Sequence, residues 1–136
     1  MKKFFLLLML SGCVFPVYAK EFSVMDEAAM LGMMEGIAEA CGEKPKKLED
    51  FKLITARLIA NKTDSHEEEV ACYRRYASEK VLGMTRQKNN PKMPCKEVLY
   101  RFENMPLFKS VVYSDGSLKL SDGTFLKNKR PRTGKR

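Results

Sequence analysis

Apolar residues recur at helical spacing in four stretches of the chain, and they alternate with polar residues beyond Phe108. The pattern predicts helices over residues 24–41, about 48–61, from a Ser65 cap to a Gly83 stop, and about 94–104. A basic, proline-containing loop is expected over residues 85–94. Together these elements predict a mainly α fold.

Two of these helices carry a start signal in the sequence. Ser23 followed by Asp26, and Ser65 followed by Glu68, have the spacing of a capping box, in which a hydroxyl and a carboxyl satisfy free N–H groups of the first turn. Gly83 is expected to end the third helix, because glycine is the commonest residue just beyond a helix end.

The first helix has two faces of different character. One consists of large apolar side chains, namely Met30, Met33, Met34, Ile37 and Cys41. The other consists of small residues four apart, namely Ala28, Gly32, Gly36 and Ala40. We expect the small residues to pack closely against another helix of the same chain, with self-association or membrane contact as alternatives. The methionines are expected to fill the core, and a functional groove is the alternative.

The next two helices each show one apolar stripe. In the second helix it consists of Leu48, Phe51, Ile54 and Leu58. In the third it consists of Val70, Tyr73, Ala77 and Val81 or Leu82. These residues are predicted to face the core.

Short β-prone runs follow Phe108, separated by two Ser-Asp-Gly sequences at 114–116 and 121–123. Asp-Gly between such runs is typical of hairpins, so we predict a three-stranded meander at about 109–127. Together with the four helices, the meander predicts the fold class. It is a small disulfide-stapled bundle of about four helices with a short C-terminal β-meander. The domain spans residues 20–126, and residues 128–136 are predicted to be a basic disordered tail.

Residues 1–19 have the features of a secretory signal peptide, with a basic start, a short apolar run and small residues before a cleavage point between Ala19 and Lys20. This predicts a periplasmic or secreted protein. The alternative is cleavage before Cys13, because residues 10–13 resemble a bacterial lipobox. In that case Cys13 carries lipid and the protein is an outer-membrane lipoprotein.

Three cysteines remain after cleavage at Ala19, and cysteines usually pair in an oxidising compartment. In an up-and-down bundle, Cys41 and Cys95 lie at the same level and Cys72 lies a turn or two above them. We therefore predict a Cys41–Cys95 disulfide and a buried free thiol at Cys72. The spacing lacks a C-x-x-C pair and the chain has one histidine, so no metal site is expected.

Positive charge is concentrated at the C-terminus, since residues 20–126 carry 17 basic and 17 acidic residues. The tail bases are candidates for binding an anionic surface, and they are Lys127, Lys129, Arg130, Arg132, Lys135 and Arg136. Within the domain, residues 20–69 are acidic on balance and residues 70–126 are basic. We expect the two halves to attract each other, and a dipolar surface that steers a partner is the alternative.

The sequence contains no catalytic motif. Asp64, Ser65, His66 and Glu67 are adjacent at a predicted helix start, where capping explains them without catalysis. Asp115 and Asp122 are expected to form turns. We therefore expect no enzymatic activity and no cofactor.

These features favour an exported bacterial envelope protein that acts as a non-catalytic protein-interaction module, of the inhibitor, immunity or secretion and conjugation accessory type. The expected partner is an envelope protein. The alternative is a lipid-anchored protein, or one whose basic tail binds a membrane or another polyanion. Nucleic acid is not expected as a partner, and the sequence does not indicate an oligomeric state.

Overall fold

The computed structural model describes residues 22–130 as four helices followed by a small sheet. The helices are α1 (Val24–Ala40), α2 (Pro45–Lys62), α3 (His66–Asn89) and α4 (Cys95–Glu103). A 3₁₀ turn at Pro106–Lys109 leads to strands β1 (Val111–Val112), β2 (Leu118–Lys119) and β3 (Phe125–Leu126). The predicted fold class is confirmed, as a mainly helical bundle with a C-terminal three-stranded antiparallel sheet.

Both predicted caps form, although the second differs in detail. Ser23 Oγ accepts a hydrogen bond from the Asp26 N–H, and the Asp26 carboxylate accepts one from the Ser23 N–H. Ser65 Oγ accepts from the Glu68 N–H at 3.1 Å. The Glu68 carboxylate instead accepts from the Asp64 N–H at 2.8 Å, one residue before the cap.

Helices α1 and α3 make the closest contact of the described bundle, and the small residues of α1 are the reason. A Cβ added at Gly32 would collide with the Tyr76 carbonyl, and one at Gly36 would collide with the Lys80 carbonyl. Since both contact points advance by four residues, the two helices run parallel. The small-residue face of α1 therefore packs within the molecule, as the sequence predicted.

The predicted end of α3 is wrong, because the helix continues through Gly83 to Asn89. A Cβ at Gly83 would lie 2.5 Å from the Met33 carbonyl oxygen, so this glycine permits close packing on α1 rather than ending the helix. The predicted start of α2 is also corrected. This helix begins at Pro45, whose missing N–H and fixed φ suit the first turn.

The same close approach changes which face of α3 is buried. Cys72, Tyr76 and Gly83 are the buried residues of α3, whereas Val81 and Leu82 are exposed. The buried face of α3 therefore differs from the predicted apolar stripe. The α1 backbone covers the side of α3 that carries Cys72, Tyr76 and Gly83. In α2 the predicted stripe is correct, and Phe51, Ile54 and Leu58 are buried.

The core joins all four helices to the sheet, and its aromatic part lies where α2 meets α4. The rings of Phe51 and Phe102 are 4.8 Å apart, and Phe108 lies 5.8 Å and 5.4 Å from them. Leu118 of β2 is fully buried on the same core. Aromatic contacts of this kind add about 0.5–1.5 kcal/mol each beyond the burial of their area.

The sheet is a meander in which β2 pairs with β1 and β3. Gly116 and Gly123 adopt positive φ angles of 86° and 88° in its two turns. Asp115 and Asp122 accept hydrogen bonds from the N–H two residues later, which confirms their predicted role as turn formers. The Asn61 side-chain amide donates to the Gly116 carbonyl at 3.0 Å and ties the meander to α2.

A disulfide joins Cys41 to Cys95, with the two Cα atoms 5.1 Å apart, as predicted. It connects the end of α1 to the start of α4 across 54 residues of chain. Cys72 is a free thiol with no exposed surface, and burial raises its pKa. This thiol is therefore shielded and poorly ionised, which makes it a poor nucleophile.

Candidate binding surfaces at the disulfide end of the bundle

The large apolar face of α1 remains partly open because the small-residue face is the one packed inside. Met30 is 44% exposed, and Met33, Met34 and Ile37 are half-buried. The expectation that the methionines fill the core is therefore wrong for Met30 and only partly met by its neighbours. An unbranched thioether side chain adapts its shape easily, so such a face can fit a partner.

Two shallow grooves run along this face and share Ile37. The first has a volume of about 230 Å³ and lies between α1 and α4, with a lining of Met34, Ile37, Met93, Val98, Arg101, Phe102 and Met105. The second has a volume of about 320 Å³ and lies between α1 and the end of α3, with a lining of Met33, Ile37, Arg86, Gln87, Asn90 and Lys92. We call the two together the methionine groove.

The rim of the methionine groove is basic. Residues 86–96 contain four basic residues and no acidic one, and they form the end of α3 and the loop into α4. Arg86 and Lys92 line the second groove directly. Arg101, on the first groove, is already paired with Glu97. Among residues 22–130, the rim cations without an acidic partner therefore lie on the α3 side, where they would attract a carboxylate.

Covalent and hydrogen-bonded contacts hold the walls of this groove in place. The disulfide fixes the start of α4 against the end of α1. The Gln87 side-chain amide donates to the Met93 carbonyl at 3.0 Å, which holds the loop against α3. A groove with fixed walls loses little conformational entropy when a partner binds.

A second pocket, which we call the acidic pocket, lies on the opposite face of α1. Its volume is about 410 Å³, and it is lined by Glu35, Glu39, Glu43, Pro45, Leu48, Glu49, Lys52 and Lys80. Glu35 is completely buried and Glu43 is 6% exposed. Two buried carboxylates in one pocket are unusual, because charged groups lose favourable hydration when they leave water.

Lys80 neutralises part of this charge. Its ammonium lies 3.0 Å from Glu35 Oε1 and 2.7 Å from Glu39 Oε2. Burial alone would lower the pKa of Lys80, but hydrogen bonds to Glu39 and Glu35 outweigh burial and raise it. Lys80 therefore stays charged and bridges α3 to α1. The ammonium of Lys52 lies farther away, 3.9 Å from Glu35 Oε1, and its side chain is 60% exposed.

The basic tail is partly bound to the domain. Lys129 contacts Asp64 at 2.6 Å, and Arg130 contacts Glu69 at 2.9 Å. The Arg130 guanidinium also donates to the carbonyls of Ala60 and Thr63, at the end of α2.

These contacts correct the predicted boundary of the disordered tail, because 128–130 are docked on the domain. A cation at the end of α2 is favoured there by the helix dipole and by the free carbonyls of the last turn. Of the six predicted anion-binding residues, Lys127 is exposed, whereas Lys129 and Arg130 have acidic partners. Arg132, Lys135 and Arg136 lie outside the described residues, as do Cys13, Ala19 and Lys20.

The acid–base cluster at the start of α3 has structural partners. Asp64 pairs with Lys129, which lowers the pKa of the Asp64 carboxyl, and Ser65 caps the helix. His66 is exposed, with Nδ1 3.9 Å from Glu69 Oε2.

Within residues 22–130, His, Cys, Asp and Glu side chains form no group of three or more that could hold a metal ion. The described helices also include none that is long and apolar enough to cross a membrane.

Sequence reasoning missed the acidic pocket, although a signal was present. Ala28, Leu31, Glu35 and Ala38 lie on one buried face of α1, so Glu35 is a charged residue in an otherwise apolar stripe. A glutamate at such a position is either paired or functional. The burial of Glu43 had no comparable signal, because it depends on how α2 folds back from α1.

Comparison with known proteins gives no relative from which a function could be transferred: no protein-family model, no curated protein and no solved structure matches the chain.

Proposed function

We propose that this chain is an exported envelope protein that binds another protein through the methionine groove and performs no catalysis. The observation that carries the proposal is the open apolar face of α1, with its basic rim at residues 86–96. Apolar grooves of this kind accept the apolar face of a partner helix.

The charge of the rim defines the partner further. Arg86 and Lys92 lie beside Met33 and Ile37, so an apolar side chain in the groove would bring its neighbours close to two cations. A partner segment with apolar anchors flanked by Asp or Glu satisfies both features. We therefore propose an acidic amphipathic helix of an envelope protein as the occupant.

Export is the second part of the proposal. It is supported by the signal-like residues 1–19 and by the Cys41–Cys95 disulfide, since structural disulfides are typical of oxidising compartments. The N-terminal mass of the protein purified from cells tests this part. Cleavage after Ala19 gives a chain that begins with Lys20. Lipoprotein processing instead gives a chain that begins with a diacylated Cys13, and the Cys13→Ser variant should lose the mass of this lipidated chain. An uncleaved chain would contradict export.

Surface binding through the basic tail stays a prediction. The ion pairs of Lys129 and Arg130 leave less free positive charge than the sequence suggested, and we therefore favour the groove. Deleting residues 131–136 removes Arg132, Lys135 and Arg136 without touching these pairs, and it leaves Lys127 in place. If envelope retention then falls and becomes insensitive to salt, the tail contributes to binding.

Photo-crosslinking tests the groove in cells. A benzophenone side chain at position Met30 lies on the open face of α1, about one turn before the groove residues Met33 and Met34. The same group at Leu53, which is 52% exposed on α2, is the control. We expect a defined crosslinked protein from position 30 and none from position 53. Identical products from both positions, or products from neither, would contradict the proposal.

A further inference from the structure

Three buried carboxylate oxygens in the acidic pocket lack a hydrogen-bond partner among residues 22–130. They are Glu35 Oε1, Glu35 Oε2 and Glu43 Oε2, and both residues line the same pocket. Glu35 Oε1 lies 3.0 Å from the Lys80 ammonium, so Glu35 Oε2 and Glu43 Oε2 are the two without an ionic partner. Glu35 has no exposed surface and Glu43 is 6% exposed. Buried polar atoms are almost always paired, so two unpaired acceptors beside one cavity point to a ligand that donates hydrogen bonds.

The electrostatics of the pocket also favour a cation. Its lining contains four carboxylates and two ammonium groups, and Lys80 already bridges Glu35 and Glu39. The pocket lies at the C-terminal end of α1, whose last turn contains Glu39 and no basic residue. A helix C-terminus carries partial negative charge, so acidic residues there are unfavourable unless a cation compensates them.

The two unpaired oxygens are held in defined positions. The other oxygen of Glu43 accepts a hydrogen bond from the Lys44 N–H at 2.9 Å, which orients its carboxylate. The other oxygen of Glu35 faces Lys80 at 3.0 Å. Lys52, at 3.9 Å, is too far from Glu35 for a hydrogen bond. The acceptors are therefore already oriented, and because both are buried, lining side chains must move aside before a donor reaches them.

The remaining lining indicates the kind of cation. Pro45 and Leu48 give the pocket an apolar wall, which suits a carbon chain. The described carboxylates do not form a group suited to a metal ion. We infer that the acidic pocket binds an alkylammonium or guanidinium group, whose N–H donors reach Glu35 Oε2 and Glu43 Oε2. The source is either a free polyamine or a Lys or Arg side chain of a protein.

This inference is independent of the methionine groove, because the pocket lies on the opposite face of α1. Isothermal titration calorimetry of the purified oxidised protein tests it with two probes, spermidine for the free polyamine and N-acetyl-arginine methylamide for a protein side chain. We expect saturable binding of at least one probe at concentrations up to about 10 mM.

Three variants that each remove one negative charge locate the site. Glu43→Gln should weaken binding by about tenfold, because it removes a charge-assisted hydrogen bond. Glu49→Gln changes an exposed lining residue without disturbing the fold, and it should weaken binding by about threefold through charge alone. Glu67→Gln changes an exposed residue that does not line the pocket and should leave binding unchanged.

The probe that binds identifies the source of the cation. Binding of spermidine alone assigns the pocket to a free polyamine, and binding of the arginine derivative assigns it to a protein side chain. Failure of both probes to saturate would overturn the inference. Equal weakening by Glu67→Gln and Glu43→Gln would also overturn it, because it would show nonspecific attraction to the net charge.

Discussion

The ammonium of Lys80 lies 3.0 Å from Oε1 of Glu35, and this contact joins α3 to the buried face of α1. Glu35 has no exposed surface, so its carboxylate depends on that ammonium for compensation of its charge. The same two helices approach so closely that three glycines are needed between them. The most intimate helix pair of the bundle is therefore held by backbone packing and by one buried charge contact.

Replacing Lys80 with methionine should destabilise the fold by about 3–5 kcal/mol, because Glu35 would stay buried without its cation. The measurement is the free energy of unfolding from urea denaturation. Lys88→Met is the matched control on the same helix, where the side chain is exposed, and it should change stability by less than about 0.5 kcal/mol. Equal effects of the two substitutions would show that the contact is dispensable.

Gly36→Ala should cost at least about 2 kcal/mol, although alanine favours helix by about 1 kcal/mol. The added methyl group would collide with the Lys80 carbonyl, and the α1–α3 contact would have to open. Gly42→Ala is the control, since an added Cβ meets nothing within 4 Å there and only the φ of 82° is strained. That strain costs about 1–2 kcal/mol. Thermal unfolding of both variants compares the two effects, and a Gly36→Ala protein as stable as the wild type would contradict the close packing.

Arg130→Ala should reduce stability by about 1–2 kcal/mol, because Arg130 pairs with Glu69 and donates to the last carbonyls of α2. Lys127→Ala, at an exposed position of the same segment, should have no measurable effect. Denaturant titration distinguishes them. If both variants match the wild type, residues 128–130 do not stabilise the domain.

Tyr73 should ionise at a higher pH than an ordinary tyrosine side chain. Burial, followed by the hydrogen bond to Glu69, raises its pKa to about 12 from an ordinary value of 10.0. The unfolded chain therefore loses this proton first, so the contribution of Tyr73 to stability is present below pH 10.0 and is lost as the pH rises towards 12. A titration followed by tyrosinate absorbance should show a step near pH 12 that Tyr73→Phe removes. A titration curve unchanged by this substitution would contradict the assignment.

Much of the fold could be predicted because local signals agreed with tertiary packing. The Ser23 and Ser65 caps, the buried stripe of α2 and the Asp-Gly turns depend on nearby residues. The Cys41–Cys95 pair followed from helix order alone. In an up-and-down bundle, the end of the first helix and the start of the fourth meet at the same level.

The errors arose where one residue type has two structural uses. Gly83 has the sequence signal of a helix end, yet its lack of a side chain allows α1 to approach α3. Met30 has the hydrophobicity of a core residue, yet the glycines turn the opposite face of α1 inward. The acidic pocket depends on the mutual placement of α1, α2 and α3, which no single stretch of sequence encodes.

The central claim is that the methionine groove binds a protein, and co-purification with a matched pair of variants tests it most directly. Ile37 lines both parts of the groove, whereas Leu53 is an exposed leucine of α2 outside it. Tagged wild-type, Ile37→Ser and Leu53→Ser proteins, each shown to be folded by circular dichroism, are recovered from envelope extracts. We expect one protein to accompany the wild type and Leu53→Ser and to be lost with Ile37→Ser. Recovery of the same proteins by all three, or of none by the wild type, would contradict the claim.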